Sequence, residues 1–308
     1  MVDLRKSLAE ERQALRLAYL KQPDSQPDPR PDPQWLLRKH CALVDRTIRE
    51  VWRDTALAGA ALVATGGYGR GELFPGSDVD LLVLLPVGVS DAGITDGDKE
   101  KIEKLIGVLW DIGLEIGHSV RSVQGCVESA AEDITIGTTL MEARYLAGSR
   151  RLFSELVKAL DETRDPLSFF KAKRLEQEQR HAKHQDTPYS LEPNLKEAPG
   201  GLRDLHTILW IARASGIGRR WNDLVSAGLL ERHEARQLTR HEAAFQDLRI
   251  RLHYLAGRRE DRMVFDFQNA LAAQYGDVDT PDRRASEAMM QRYYRAAKTV
   301  TQLNTIVL

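Results

Sequence analysis

The sequence predicts an α/β (α+β) domain with a small mixed sheet, followed by an all-helical domain. Three observations carry that reading. Short apolar strands alternate with amphipathic helices up to about residue 125, and beyond it apolar residues recur at helical spacing to the end. A proline-rich stretch, QPDSQPDPRPDPQ, sets the first helical segment apart. Repeated prolines exclude helix and sheet alike and leave an extended tether. The parts expected are an N-terminal helix and tether over 1–34, a sheet-bearing domain over 35–125 and a helical domain over 126–308.

Taken in order, residues 3–21 place Leu4, Leu8, Leu15, Ala18 and Leu20 at helical spacing among many charges. This helix either docks on the domain or seeks a partner. From Trp35 to about Leu57 a second stripe runs through Leu36, Leu43, Val44, Ile48 and Val51, the pattern of a helix that packs on a sheet. Ala60–Thr65 reads as a short strand, and glycines 66, 67, 69 and 71 follow at once. Leu81–Leu85 is apolar on both faces, so it reads as an interior strand. PVGVSDAGITDGD is a loop whose aspartates do not fit EF-hand spacing. Lys99–Ile112 carries Ile102, Leu105, Ile106, Leu109 and Trp110 on one helical face, and Leu114–Val123 reads as a third strand. From Ser122 onward the pattern reads as helix, VQGCVESAAEDITIGTTLMEARYLAG included, with one proline-rich interruption at TPYSLEPNLKEAPGG, and no internal repeat is present.

Composition narrows the function. The chain has 308 residues, 42% of them hydrophobic and 29% charged, with a formal net charge of −1. Near-neutral charge argues against binding nucleic acid, which calls for a basic face. It leaves room for a small anion held by a few arginines. Cys41 and Cys126 are far apart and lack metal-ligand neighbours, which fits idle thiols in a reducing compartment. The N-terminus has no apolar leader segment and no run reaches membrane-spanning length, so a cytoplasmic protein without membrane contact is expected. No Ser-His-Asp, Cys-His or G-x-S-x-G arrangement stands out.

The chemistry concentrates in ALVATGGYGRGELFPGSDVDLLVLLP. Alternate strand residues share a face, so Asp78 and Asp80 point the same way, about 6.6 Å apart. Two carboxylates so placed repel by roughly 2.5 kcal/mol at an effective dielectric near 20. A divalent cation reverses that sign, and Mg²⁺ favours one or two carboxylates plus water and phosphate oxygens. An Asx turn at Gly76, Ser77 and Asp78 is the plainer reading of a lone D-x-D. The glycines upstream change the balance, because backbone free of side chains lets a phosphate approach its amides. Arg70 could add a forked, charge-assisted contact. No G-K-[ST] follows, so the turn is not a P-loop. If the two strands pair antiparallel, the glycine turn and the carboxylates meet at one end.

The Gly-Gly turn, short linker and D-x-D strand resemble the polymerase β-type nucleotidyltransferase superfamily. The longer string GGYGRGELFPGSDVDLLVLL is similar to the bacterial PII uridylyltransferase/uridylyl-removing family. A second stretch, NLKEAPGGLRDL, resembles the segment after the nucleotidyltransferase domain in that family. By itself that stretch reads either as a proline-rich connector with a capped helix or as an anion site at a helix start. The resemblance implies a Mg²⁺-dependent uridylyltransferase that moves UMP from UTP to a tyrosine of the PII signalling protein. It implies Asp78 and Asp80 as metal ligands and catalytic residues, with Glu115 as the candidate third carboxylate. Gly66, Gly67, Arg70, Gly71 and Ser77 would hold the nucleotide, joined by Lys196, Gly200, Gly201, Arg203 and Asp204. An adenylyltransferase, or a module that senses nucleotide without turnover, is the alternative. The family's HD-type hydrolase and ACT sensor domains are not recognisable here, so a shortened or naturally short relative is expected, able to transfer but not to remove.

Other candidates read more plainly. His118 reads as a substrate or structural group. His181 and His184 read as a solvated helix face, and His233 and His241 as surface. Arg249, Arg251, Arg258 and Arg259 form a cluster read as salt-bridged surface. Tyr293, Tyr294, Met289 and Met290 mark the packed face of the last helix.

Overall fold

The computed structural model describes residues 2–21, 32–86, 88–184 and 186–308. Most of the proline-rich tether lies outside the described residues. The chain forms two compact units, Met1–Arg164 and Asp165–Leu308.

The first unit is built on one mixed sheet of β1 (Ala61–Ala64), β2 (Val79–Leu84), β3 (Ile116–Arg121) and β4 (Arg144–Gly148), in spatial order β3-β2-β1-β4. β1 pairs antiparallel with both β2 and β4, and β2 pairs parallel with β3. Strand alternation gives the sheet two buried faces. Leu62, Ala64, Val79, Leu81 and Val83 face α1 (Val2–Leu20), α2 (Pro33–Arg53) and α4 (Asp96–Ile112). Ala61, Val63, Leu82 and Leu84 face α5 (Val123–Glu132), α6 (Ile134–Met141) and α7 (Arg150–Thr163). Both faces being covered explains why β2 is apolar throughout. α3 (Gly66–Gly69) is a single turn between β1 and β2.

Local sequence sets the helix ends. Asp32 caps α2 by accepting from the Gln34 amide, with Pro33 at the first helical position. Thr95 caps α4, and Gly113 ends it in the left-handed conformation at φ 95°. α1 docks: Leu8 and Tyr19 are buried and Leu8 joins the α2/α4 core. Trp110, expected on the buried face of α4, is 56% exposed.

Two expectations need correction. ARYLAG is not helical but forms β4, which carries a register shift opposite Leu62/Val63 that blurs its two-residue period. The unit bearing the sheet therefore runs past 125 to Arg164, because β4 and the helices on either side of it complete the sheet and cover one face.

The second unit contains α8 (Pro166–Lys183), α9 (Leu202–Ala214), α10 (Trp221–Ser226), α11 (Arg232–Ala256), α12 (Phe265–Gln274) and α13 (Ala285–Val307). It is helical apart from isolated bridges such as Asn194 to Arg262. No described helix is long and apolar enough to cross a membrane.

Candidate active site

At one end of the sheet the glycine turn and the carboxylates come together. The Thr65 amide donates to the Asp80 carbonyl at 3.0 Å, and this antiparallel pairing sets Gly66 beside Asp80. Gly66 has φ +57°, and a Cβ there would stand 2.8 Å from Asp80 Oδ2. Across the parallel pair Asp80 faces Gly117, where a Cβ would stand 2.9 Å from Oδ1. The Asp80 carboxylate thus occupies space that two glycines keep clear. Val79 is buried in the α2/α4 core, so the neighbours on either side, Asp78 and Asp80, turn to the other face. Asp78 is exposed and Asp80 half-buried.

Glu115 lies beside the pair. Its carbonyl accepts from the Val79 amide at 2.8 Å, and Ile116 shares the core of Val79. Alternation then puts Glu115 on the carboxylate face, exposed, next to Asp78. His118 pairs with Leu81 and so falls on the opposite face, apart from the three carboxylates.

The turn offers fewer amides than its glycines suggest. Gly69, Arg70, Gly71 and Glu72 donate to Thr65, Gly66, Tyr68 and Gly67 carbonyls at 2.8–3.1 Å. Gly66 and Gly67 open the turn, where amides have no acceptor within the helix. Gly69 serves packing: a Cβ would stand 2.3 Å from the Glu142 carbonyl. Arg70 Nε donates to Glu72 Oε2 at 2.8 Å, and its guanidinium lies 3.7 Å from Glu142 Oε2. Two carboxylates thus bracket the arginine expected to meet phosphate. Ser77 is half-buried and its amide donates to the Phe74 carbonyl.

A polar network absent from the sequence reading anchors the turn. Arg144, at the start of β4, donates to Asp45 of α2 at 2.6 and 3.0 Å and to the Tyr68 and Gly69 carbonyls at 3.1 and 3.3 Å. The buried Tyr68 hydroxyl donates to Asp45 at 2.5 Å, and burial with the Asp45 charge pushes its pKa well above the usual value. Arg49 donates to Asp45 and to the Leu146 carbonyl. The sequence signal for β4 was Gly148-Ser149: the glycine sits at φ +82° and the serine caps α7. His40 Nδ1 donates to the Leu73 carbonyl at 2.9 Å, tying α2 to the loop before Asp78. Burial, aided by Arg12, lowers its pKa to about 4.

A cavity of about 640 Å³ opens at the other end of β2, lined by Leu85, Pro86, Ser122 and Gly125. It lies at the opposite end of β2 from Asp80 and the glycine turn.

In the second unit the expected nucleotide residues have structural employment. Asp204 is fully buried and accepts from Gln177, Arg180, His181 and the Gly200 amide at 2.5–2.9 Å. Its pKa falls to about 2; burial opposes this, and the donors from His181 and Arg180 overcome it. Both oxygens of Asp204 thus already accept from protein donors, which gives this residue a structural part in the second unit. His181, read as solvated, is one of its donors. Gly200 and Gly201 are buried, and a Cβ would meet the Ala297 carbonyl at 2.2 Å and the Leu195 carbonyl at 2.8 Å. Close backbone packing explains these glycines. Arg203 pairs with Glu197 at 3.1 Å and lies over Trp210; Lys196 lies 3.5 Å from Glu197. Arg249 and Arg251 are buried rather than surface, paired with Asp261 and Asp247.

Known proteins account for both stretches. The nucleotidyltransferase domain model matches residues 45–129, and the GlnD PII-uridylyltransferase model matches residues 168–308. Bifunctional uridylyltransferase/uridylyl-removing enzymes are similar along most of the chain. That of Nitrosospira multiformis is 54% identical over 89% of this chain and 31% of its own length. That of Chromobacterium violaceum is 52% identical over 99% and 34%, and that of Aromatoleum aromaticum 50% identical over 100% and 34%. The chain spans about a third of the length of these curated relatives. With a nucleotidyltransferase domain around its paired carboxylates and the PII-uridylyltransferase region after it, the chain belongs to the PII uridylyltransferase family.

Proposed function

We propose that this chain is a Mg²⁺-dependent uridylyltransferase that moves UMP from UTP to a tyrosine hydroxyl of the PII signalling protein. The observation that carries the proposal is the Asp80 carboxylate set between Gly66 and Gly117 at the mouth of the glycine turn. The relatives' names support a uridylyl group as the one transferred, and the description of the family model matching residues 168–308 supports PII as the acceptor.

The donor set fits the ion. Asp78, Asp80 and Glu115 are hard oxygen donors on one face of one sheet end, and Gly66 and Gly117 let the Asp80 carboxylate sit there without a Cβ against its oxygens. When bound, Mg²⁺ supplies charge neutralisation at the phosphates and lowers the pKa of the attacking hydroxyl. The chain's own part is positional. The open backbone at Gly66 and Gly67 receives the triphosphate. Asp80 or Glu115 takes the proton as the tyrosine oxygen bonds to the α-phosphorus. The bond from that phosphorus to its bridging oxygen breaks in line, and pyrophosphate leaves with the electron pair. Holding the reactants in line and stabilising charge supply most of the rate.

Radiolabelled UTP, PII and the Asp78→Asn/Asp80→Asn double variant test this. Label transfer is expected to vanish while the fold, monitored by circular dichroism, persists. A folded double variant that transfers at the parent rate would refute the assignment. Labelled ATP run in parallel separates the alternative: transfer from ATP but not UTP makes the chain an adenylyltransferase.

A further inference from the structure

The second unit carries a groove of about 490 Å³ between the loop at Tyr189–Leu191, the start of α12 and one face of α13. Its apolar side chains are unusually open. Tyr189, Leu191 and Phe265 are 53%, 69% and 54% exposed, where isolated large hydrophobics are common but a cluster around one groove marks an interaction site. Met290 and Tyr294 complete the floor.

The exposure is built in rather than a loose loop. The loop carbonyls are occupied: Ser190 accepts from the Tyr294 hydroxyl at 3.0 Å, and Leu191 accepts from Gln268 Nε2 at 2.7 Å. The Phe265 amide donates to Glu192 Oε1 at 3.1 Å, and Arg262 holds the other oxygen of that carboxylate. Polar anchors from two helices thus fix the backbone, leaving Leu191 turned outward and the half-exposed Tyr189 ring against Tyr294 at 5.9 Å between centroids.

The rim is cationic. Arg284, Arg295 and Lys298 line the groove, all exposed, and among the described residues none of the three is in an ion pair. The carboxylate on the same face, Glu287, accepts from the Arg284 amide at 3.2 Å as part of the α13 start. Other exposed arginines of this unit are mixed: Arg292 pairs with Asp277 and Arg258 with Glu260, while Arg232 and Arg236 are in no ion pair among the described residues. An apolar floor under unmatched positive charge complements a segment with apolar anchors and flanking carboxylates.

We infer that this groove docks an acidic, apolar-anchored segment of a partner protein. The inference is independent of the transfer chemistry, since no residue of the groove belongs to the carboxylate site. Apolar anchors set the residence time and the rim charges steer the encounter, so binding weakens as salt rises.

The test uses the whole chain and a fluorescein-labelled synthetic peptide in which glutamates flank a Leu-Phe pair, followed by anisotropy. Two controls replace the glutamates by lysine or the Leu-Phe pair by serine. The acidic peptide is expected to bind, and both controls to bind at least about tenfold more weakly. Arg295→Glu/Lys298→Glu and, separately, Leu191→Ser should each weaken binding by a similar factor without shifting the melting temperature, because all three side chains are exposed. Equal binding of the lysine peptide, or unchanged affinity in the charge-reversed variant, overturns the inference. So does self-association abolished by the same substitutions, which would make a second copy of this chain the occupant. Displacement of the peptide by inorganic triphosphate alone would also overturn it, since the groove would then be a site for small anions.

Discussion

Asp80 and Asp204 are both acidic residues beside glycines in conspicuous motifs, yet their surroundings give them opposite roles. Asp80 is half-buried, with no Cβ from Gly66 or Gly117 against its oxygens; Asp204 is fully buried under donors from α8 and the loop before α9. Gly117→Ala tests the first. A methyl group 2.9 Å from Oδ1 forces the carboxylate to move, so transfer is expected to fall at least about tenfold with little change in stability, since φ at this position suits any residue. Steady-state UMP transfer and thermal melting check the pair of outcomes. Gly66→Ala adds backbone strain of about 1 kcal/mol on top, because its φ is +57°. Asp204→Ala leaves Arg180, His181 and Gln177 facing an empty acceptor, and costs about 3–5 kcal/mol in urea unfolding. Unchanged stability with weakened UTP binding would return Asp204 to the nucleotide.

The elements that hold the turn matter as much as the turn itself. α2, α3 and β4 meet at Asp45, and Arg144 donates to both its oxygens while gripping the last carbonyls of the turn. Lysine keeps the charge but not the fork. Arg144→Lys is therefore expected to raise KM for UTP by about tenfold, with a smaller effect on kcat, as the turn loosens while the carboxylates stay on β2. Equal losses in both constants would place Arg144 in the transition state instead. This element level is also where the sequence is least legible. α2 and α4 announce themselves through amphipathic apolar stripes and caps, and β2 through an unbroken apolar run after D-x-D. β4 is five residues with a bulge, flanked by helices, so its short signal is lost in theirs.

At the scale of the molecule, one buried group in each unit responds to acid at a different pH. His40 in the first unit has its folded pKa lowered to about 4 from an ordinary 6.5. The unfolded chain then takes up the proton first, so stability is full above pH 6.5 and falls by about 3 kcal/mol by pH 4. Asp204 in the second unit has its folded pKa lowered to about 2 from an ordinary 3.8. Its contribution is intact above pH 3.8 and is lost, by about 2 kcal/mol, only below that. Acid is expected to weaken the surroundings of His40 before the Asp204 hub; burial also lowers the pKa of His184 and His241, so Asp165–Leu308 has its own histidine contribution below pH 6.5. Hydrogen exchange read by peptide at pH 7, 5 and 4 should show the sheet's amides losing protection while α9 and α13 keep theirs; His40→Gln should remove the early step.

The sequence by itself determined what depends on neighbours along the chain. Periodicity set the helices, and the run after D-x-D set an interior strand. The glycine turn and the acidic pair were legible together because one antiparallel pairing of adjacent strands is enough to join them. Tertiary structure decided what depends on residues far apart. Asp45, Tyr68 and Arg144 are unremarkable at their positions until α2, the turn and β4 converge. Gly200, Gly201 and Asp204 look like an anion site until burial shows every oxygen and every open face already occupied. Local pattern records which conformations are permitted, whereas the partner of a buried charge is chosen only when the chain folds back on itself.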